Sequence, residues 1–227
     1  MIQWDSLPLD RPMTASASAP SPATQNPASP MRLGVMASGK GSNFVAIARA
    51  IADGTLNATI AVVIYNNPNA GVAARARDFG IPAVLVNHRE FAQRQDCDRA
   101  IVKVLQEKAV ELVVMAGWMR RVTQVAIDAY PHRMLNIHPS LLPDFPGLHP
   151  VKQALDCGVK FSGCTVHWVT LAVDSGPIVQ QAVVPVLPDD TEESLQARIQ
   201  VEEHRIYPEA IAIAARQLRN TPSEPPA

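Results

Sequence analysis

The stretch Arg32-Leu33-Gly34-Val35-Met36-Ala37-Ser38-Gly39-Lys40-Gly41-Ser42-Asn43 decides the fold of this 227-residue chain. Its apolar run, residues 32–36, predicts a buried strand, and apolar residues at helical spacing predict a helix over residues 43–52 that stops at Gly54. The glycine-rich loop between them offers backbone amides and a helix N-terminus, which together favour an anion. The stretch therefore predicts a strand-loop-helix unit with a phosphate site.

The glycine loop departs from the two common nucleotide-binding motifs. Residues 34–40 nearly match a P-loop, but Gly41 occupies the position where Ser or Thr would hold magnesium. In a dinucleotide fingerprint, Phe44 stands where the third small residue belongs, and Tyr65-Asn66-Asn67 supplies no acid for a ribose hydroxyl. The loop thus disfavours ATP and NAD, and a plain tight turn remains the alternative to a phosphate site.

Downstream of this unit, short apolar runs alternate with helical patterns, which is typical of βαβ units and a parallel sheet. The predicted strands are 60–65, 83–86, 112–115 and 134–138, and the predicted helices are 71–79 and 95–108. Residues 163–170 and 178–186 predict two further strands that pair antiparallel across the turn Asp174-Ser175-Gly176-Pro177. The fold class is therefore α/β, with a parallel N-terminal half, a mixed or antiparallel C-terminal extension of the sheet, and helices on both faces.

A final helix is predicted to run to about Leu218. Asp190 and Glu193 resemble a capping box at its start, and Pro208 predicts a bend because proline lacks a backbone donor. Residues 31–219 are predicted to form one domain. The Pro/Ala/Ser-rich residues 1–30 predict a disordered tail, and residues 220–227 predict a flexible C-terminus.

Composition argues against several classes of protein. The net charge is −1 and the basic residues are scattered, which disfavours a duplex-DNA or anionic-membrane surface. Cys97, Cys157 and Cys164 are odd in number and lack paired C-x-x-C spacing, which disfavours disulfides and a zinc site. No apolar run approaches the roughly 20 residues needed to span a bilayer. We expect a cytoplasmic protein with no metal, nucleic acid or membrane partner.

Groups suited to chemistry gather in the stretch Asn136-Ile137-His138-Pro139-Ser140-Leu141-Leu142-Pro143. Residues two apart on a strand point to the same face, so Asn136 and His138 are expected to aim together at the strand end. An amide donates to a developing oxyanion, and an imidazole moves a proton near neutral pH. Asp174 near that ring would orient it and raise its pKa. A strand-end histidine before proline is more often structural, so these residues alone leave both roles open.

The same eight residues resemble the signature of the folate-dependent formyltransferases. Motifs from about residue 31 to about residue 217 are similar, in the same order, to those of the phosphoribosylglycinamide formyltransferases. They are residues 38–43, Met115-Ala116-Gly117-Trp118-Met119-Arg120, Phe145-Pro146-Gly147-Leu148-His149, Asp174-Ser175-Gly176-Pro177 and Glu203-His204-Arg205-Ile206-Tyr207-Pro208. The resemblance implies a Rossmann-like formyltransferase fold and a transfer of formyl from 10-formyltetrahydrofolate to the amine of phosphoribosylglycinamide, in purine biosynthesis and without a metal.

The resemblance also implies a role for each site residue. Asn136 would stabilise the oxyanion, His138 would act as general acid, and Asp174 would raise the His138 pKa. The ribonucleotide would bind at Gly41, Ser42, Asn43 and Glu203. The folate would bind at Arg94, Met119, Arg120, Arg121, Val122, Asn136, Thr170 and Val173. Both substrates are small molecules, and the protein would be a monomer or homodimer.

Three other functions fit parts of the pattern. A formyltetrahydrofolate deformylase uses a similar Asn, His and Asp set with water as acceptor, but its family carries a regulatory domain that residues 1–30 are too short to form. A methionyl-tRNA formyltransferase would need a nucleic-acid-binding domain, for which nothing after Leu218 is long enough. A non-catalytic phosphate sensor would have no need of Asn136, His138 and Asp174. We therefore rank the deformylase second.

Overall fold

Seven strands form one sheet in the computed structural model, which describes residues 29–220. The strands are β1 (Met31–Ala37), β2 (Ala58–Tyr65), β3 (Ala83–Leu85), β4 (Leu112–Met115), β5 (Met134–His138), β6 (Phe161–Trp168) and β7 (Ile178–Pro185). The helices are α1 (Ser42–Ala52), α2 (Val72–Asp78), α3 (Arg94–Glu107), α4 (Gln124–Ala129), α5 (Pro150–Asp156) and α6 (Glu192–Asn220), with a 3-10 turn at His88–Glu90. None of these helices is long and apolar enough to cross a membrane.

The strand order is β3-β2-β1-β4-β5-β6-β7. The first five strands in this order are parallel, whereas β6 runs antiparallel to β5, and β7 runs antiparallel to β6. From β1 the chain builds outward through β2 and β3, and then returns to the other side of β1 with β4. This reversal leaves a crevice beyond the carboxyl ends of β1 and β4, where open α/β sheets bind their ligands.

Helices cover both faces of the central strands. Helices α1, α2, α5 and α6 pack on one face, and α3 and α4 pack on the other. In β1, Leu33 and Val35 contact the first layer, and Met36 contacts the second. Strands buried on both faces are apolar at nearly every position, which explains the continuous apolar runs in β1 and β4.

The architecture confirms the predicted fold class, including the parallel half and the antiparallel extension. The predicted strand and helix bounds agree with the observed ones to within a few residues. The sequence missed α4 and α5, which are short, and α5 follows a stretch rich in Pro and Gly. The predictions for residues 1–30 and 220–227 lie outside the described residues, apart from 29, 30 and 220. Asn220 is the last residue of α6.

The start of α6 corrects the predicted capping box. Thr191 Oγ1 accepts from the Ser194 amide at 3.2 Å, and Ser194 Oγ accepts from the Thr191 amide at 3.0 Å. This reciprocal pair is the capping box, with Thr191 rather than Asp190 at the cap and Ser194 rather than Glu193 as its partner. Asp190 instead accepts from the guanidinium of Arg198 at 2.8 and 2.9 Å. The helix continues across Pro208.

Tyr207 joins α6 to the sheet. Its side chain is fully buried, and its hydroxyl donates to the carbonyl oxygens of Met115 at 3.0 Å and Leu135 at 3.3 Å. Those carbonyls belong to β4 and β5, so one hydroxyl proton is shared between two neighbouring strands. Burial, and secondarily the charge of Glu203, raises the pKa of Tyr207 well above its usual value, so the hydroxyl remains a donor.

Replacing Tyr207 with Phe removes this donor while keeping the ring. We expect Tyr207→Phe to lower the free energy of unfolding by about 1–2 kcal/mol, because both carbonyls lose a buried donor. Urea unfolding measures this, with Tyr130→Phe as a control. Tyr130 is also buried, but its hydroxyl has no hydrogen-bond partner within residues 29–220. Equal losses in the two variants would mean that the shared hydrogen bond contributes nothing.

Candidate active site

A cavity of about 860 Å³ opens at the crevice between β1 and β4. This size lies within the usual range for small-ligand sites. Its walls are the loop after β1, the loop after β4, the end of β5 and the turn before β7. Its lining includes every predicted site residue except Arg94, namely Gly41, Ser42, Asn43, Met119, Arg120, Arg121, Val122, Asn136, His138, Thr170, Val173, Asp174 and Glu203. Arg94 is the first residue of α3 and lies outside this lining.

Asp174 is the point where the polar groups converge. Its Oδ2 lies 3.3 Å from His138 Nδ1 and accepts from the Gly147 amide at 2.9 Å. Its Oδ1 lies 3.4 Å from Asn136 Nδ2. Asp174 itself adopts a left-handed conformation with φ 50°, which aspartate tolerates better than most residues. Asn136 and His138 therefore lie on one face of β5 and meet one carboxylate.

The surroundings of Asp174 keep its carboxylate ionised. Burial taken alone raises the pKa of Asp174. The hydrogen bonds from His167 and the Gly147 amide, with the charges of His138 and His167, outweigh this and hold the pKa below its usual value. An ionised carboxylate is therefore available to orient a neighbouring imidazole.

The ring of His138 lies between two hydrogen-bond acceptors. Its Nδ1 faces Asp174, and its Nε2 lies 2.9 Å from the carbonyl oxygen of Phe145. Only a ring with a proton on both nitrogens can donate to both acceptors. Phe145 has φ 54°, and this left-handed turn directs its carbonyl toward the ring. The geometry therefore offers an acceptor to each ring nitrogen of His138.

His167 is a site residue that the sequence analysis missed. Its Nε2 lies 3.2 Å from Asn136 Nδ2 and 3.6 Å from Asp174 Oδ1, and its Nδ1 lies 2.9 Å from the carbonyl oxygen of Trp168. Its Nε2 therefore lies within reach of both the Asn136 amide and the Asp174 carboxylate. The signal was available, because pairing β6 antiparallel to β5 sets His167 opposite Asn136.

The glycine loop is tied to the loop that follows β4. The Ser38 amide donates to the Gly117 carbonyl at 3.0 Å, and Ser38 Oγ accepts from the Met119 amide at 2.9 Å. Gly41 has φ 76°, and a Cβ there would lie 2.6 Å from the side chain of Val72. Glycine is required for both reasons, and it lets the chain turn into α1, whose first residues line the cavity.

A buried carboxylate lies behind this loop. Asn43 Nδ2 donates to Glu203 Oε2 at 2.9 Å, and both residues are buried. Burial raises the pKa of Glu203, and the hydrogen bond from Asn43 offsets only part of that rise. Gln200, which the sequence analysis also missed, donates to Ser42 Oγ at 3.0 Å. Helix α6 therefore lines the cavity with groups able to accept and donate hydrogen bonds.

The other end of the cavity is apolar and open. Met119, Leu148 and Leu171 expose 70%, 68% and 53% of their surface there, and Val173 is 41% exposed. Such a concentration of large exposed apolar side chains at a cavity mouth is typical of a ligand-binding surface. Within residues 29–220, no group of three or more His, Cys, Asp and Glu side chains has a metal-binding arrangement.

Comparison with known proteins supplies the family. The family model described as "Formyl transferase" matches residues 31–211. The phosphoribosylglycinamide formyltransferase of Bacillus subtilis (strain 168) is 38% identical over 180 residues, which cover 79% of this chain and 92% of that protein. The chain belongs to the phosphoribosylglycinamide formyltransferase family. The resemblance inferred from the sequence motifs is thereby confirmed.

Two further relatives extend this result. The crystal structure of glycinamide ribonucleotide transformylase 1 from Symbiobacterium toebii is 46% identical, with a TM-score of 0.84, and the match covers 86% of this chain and 94% of that one. The trifunctional purine biosynthetic protein adenosine-3 of Drosophila melanogaster is 44% identical over 184 residues. That match covers 80% of this chain but only 14% of the Drosophila protein.

Replacing Glu203 with Gln removes a titrating group and keeps an acceptor for Asn43. A carboxyl whose pKa is raised by folding contributes stability below its unfolded pKa and loses it as the pH rises through the folded pKa. We expect Glu203→Gln to be more stable than the wild type, by a larger margin at about pH 8 than at about pH 5. Urea unfolding at both pH values measures this.

The exposed Glu107 supplies the control for this experiment. Glu107→Gln should show no gain that grows with pH. The same margin for Glu203→Gln at both pH values would contradict the raised pKa of Glu203.

Proposed function

We propose that this chain transfers the formyl group of 10-formyltetrahydrofolate to the amine of phosphoribosylglycinamide. The observation that carries the proposal is the convergence of Asn136, His138 and the ionised Asp174 in one cavity. The family membership and the names of the relatives from Bacillus subtilis and Symbiobacterium toebii support it. A cytoplasmic location and a monomeric or homodimeric state stay predictions.

The proposed transfer needs only groups that line this cavity. The amine nitrogen attacks the formyl carbon, and the electrons of the carbonyl bond move to its oxygen. The Asn136 amide donates to that oxyanion, and so does the protonated His138 ring, whose Nε2 proton leaves the Phe145 carbonyl to do so. As the bond to the folate nitrogen breaks, His138 relays the proton that the amine loses to the departing nitrogen. The products are a formamide and tetrahydrofolate, with no covalent enzyme intermediate.

The position of Asn136 lets its amide donate a hydrogen bond to the oxyanion at a low cost in free energy. Its Nδ2 contacts His167 at 3.2 Å and Asp174 at 3.4 Å, and both distances are long for hydrogen bonds. To reach the oxyanion, a hydrogen on Asn136 Nδ2 exchanges one of these long contacts for a shorter, charge-assisted one. Asp174, which also contacts His138, keeps both donors facing the same point. This preorganisation is the main source of rate that the proposal requires.

The ribonucleotide is assigned to the end of the cavity formed by α1 and α6. Gly41, Ser42 and Asn43 line the cavity at the start of α1, where a helix N-terminus favours phosphate. Glu203 offers an acceptor to the polar part of the same substrate. Because Glu203 is buried and its pKa is raised, a donor from the substrate would stabilise its charged form.

The folate is assigned to the apolar end, along the turn that carries Met119, Arg120, Arg121 and Val122. Asp98, whose side chain is buried, holds the far end of that turn by accepting from the Thr123 amide at 2.6 Å. Ser38 holds the near end through the Met119 amide. We infer that Asp98 is a positioning residue for the pterin pocket. Arg94 begins the same helix as Asp98, and its contact with folate stays a prediction.

The decisive test is the conversion of 10-formyltetrahydrofolate to tetrahydrofolate, followed by absorbance with and without phosphoribosylglycinamide. Turnover that requires the ribonucleotide is expected. We expect Asn136→Ala to lower kcat by about a hundred-fold to a thousand-fold, because one oxyanion donor is lost. Asn66→Ala is the control, since Asn66 is buried but does not line the cavity. Turnover without the ribonucleotide would favour the deformylase, and an unchanged kcat would refute the role of Asn136.

The Asp98 assignment predicts a selective loss of folate affinity. We expect Asp98→Ala to raise KM for 10-formyltetrahydrofolate by on the order of ten-fold, because a buried hydrogen bond to a charged group is removed. KM for the ribonucleotide and kcat should change little. Asp98→Asn keeps an acceptor oxygen and should restore most of the affinity. A rise in both KM values together with a fall in kcat would indicate that Asp98 has a structural role alone.

A further inference from the structure

A second cavity, of about 800 Å³, lies between α1, α2 and α6. Within residues 29–220, Ser42 is the one residue that lines both this cavity and the catalytic one. We name this second cavity the arginine groove, after Arg49, Arg75, Arg205 and Arg216, which line it. No site residue predicted from the sequence, apart from Ser42, lies in it.

Positive charge in the arginine groove exceeds negative charge. Four guanidinium groups face two carboxylates, those of Asp53 and Glu209. Glu209 is engaged by Gln180 and by Arg205. Because the whole chain has a net charge of −1, this excess is a local concentration rather than a general property of the surface.

Three of the four guanidinium groups are available to a ligand. Arg205 pairs with Glu202 at 2.7 Å and Glu209 at 3.4 Å. The guanidinium groups of Arg49, Arg75 and Arg216 have no ion pair or hydrogen bond with any residue from 29 to 220. Guanidinium groups bind phosphate through paired hydrogen bonds, so three of them without partners in the lining of one cavity are suited to bind an anion.

The pKa of His204 reflects its burial and the positive charge in the arginine groove. Its Nε2 is buried and has no hydrogen-bond partner among the described residues. Burial, followed by the charges of Arg49 and Arg75, lowers the pKa of His204. The imidazole is therefore neutral at neutral pH, and both guanidinium groups act on it from nearby.

The floor of the arginine groove is apolar. Val45, Ala46, Ala50, Ala212 and Ile213 contribute aliphatic surface next to the charged groups. A ligand that fits has an anionic end and a flat or apolar end, and the volume suits a small molecule rather than a macromolecule. We propose that the arginine groove binds a nucleoside phosphate with at least two phosphate groups, with the phosphates on Arg49, Arg75 and Arg216 and the base on the aliphatic floor.

Calorimetric titration of the full chain with adenosine diphosphate tests the proposal. We expect saturable binding that Arg49→Ser combined with Arg75→Ser weakens at least ten-fold, because two guanidinium partners are lost. Adenosine monophosphate should bind more weakly because it lacks the second phosphate. Pyrophosphate should also bind more weakly because it cannot cover the aliphatic floor. Arg216→Ser removes a guanidinium group on α6 and should weaken adenosine diphosphate binding independently.

Two controls separate the arginine groove from other anion sites. Arg77→Ser combined with Arg133→Ser changes the net charge equally at exposed positions outside the groove, and should leave the affinity within about two-fold. Lys40→Ser removes the exposed cation of the loop after β1, outside the arginine groove, and should also leave the affinity unchanged. Absence of binding up to about 1 mM would overturn the proposal. Affinity that survives every groove variant, or that falls in either control, would overturn it equally.

Discussion

The reversal of strand order beside β1 is the constraint on which the rest of the site depends. Because β2 and β4 flank β1 on opposite sides, the loops that leave β1 and β4 must diverge, and a crevice opens between them. The hydrogen bonds from Ser38 to Gly117 and from Met119 to Ser38 stop this crevice from widening further. The groups that line the catalytic cavity are positioned relative to that edge.

Ionisable groups divide the catalytic cavity into two electrostatic regions. Near β5, the cost of burying Asp174 is outweighed by hydrogen bonds from His167 and Gly147 and by the charges of His138 and His167, which favour the ionised carboxylate. Near α6, Asn43 is the one hydrogen-bond donor to Glu203 among residues 29–220, and burial prevails. The pKa values of these two carboxyl groups are therefore shifted in opposite directions, downward for Asp174 and upward for Glu203. Because of this contrast, Asp174 can orient His138, while Glu203 can accept a hydrogen bond from the substrate.

The sequence predicted the features that depend on local pattern. Apolar runs located the buried strands, and the period of two placed Asn136 and His138 on one face of β5. The sequence analysis missed features that depend on contacts between residues far apart in the chain. His167 gains its role only when β6 pairs with β5, and Asp98 only when α3 packs beside the turn after β4. Thr191 and Ser194 replaced the predicted cap because hydroxyl geometry, rather than residue type alone, selects the partner.

The exposed apolar side chains at the mouth of the catalytic cavity have a thermodynamic consequence. Met119, Leu148 and Leu171 lie in water while the cavity is open. A ligand that covers them removes apolar surface from solvent, which makes the heat-capacity change of binding negative. A phosphate held by loop amides and a helix N-terminus adds little to that signal, because it covers almost no apolar surface. The two ends of one cavity therefore differ in how their affinities change with temperature.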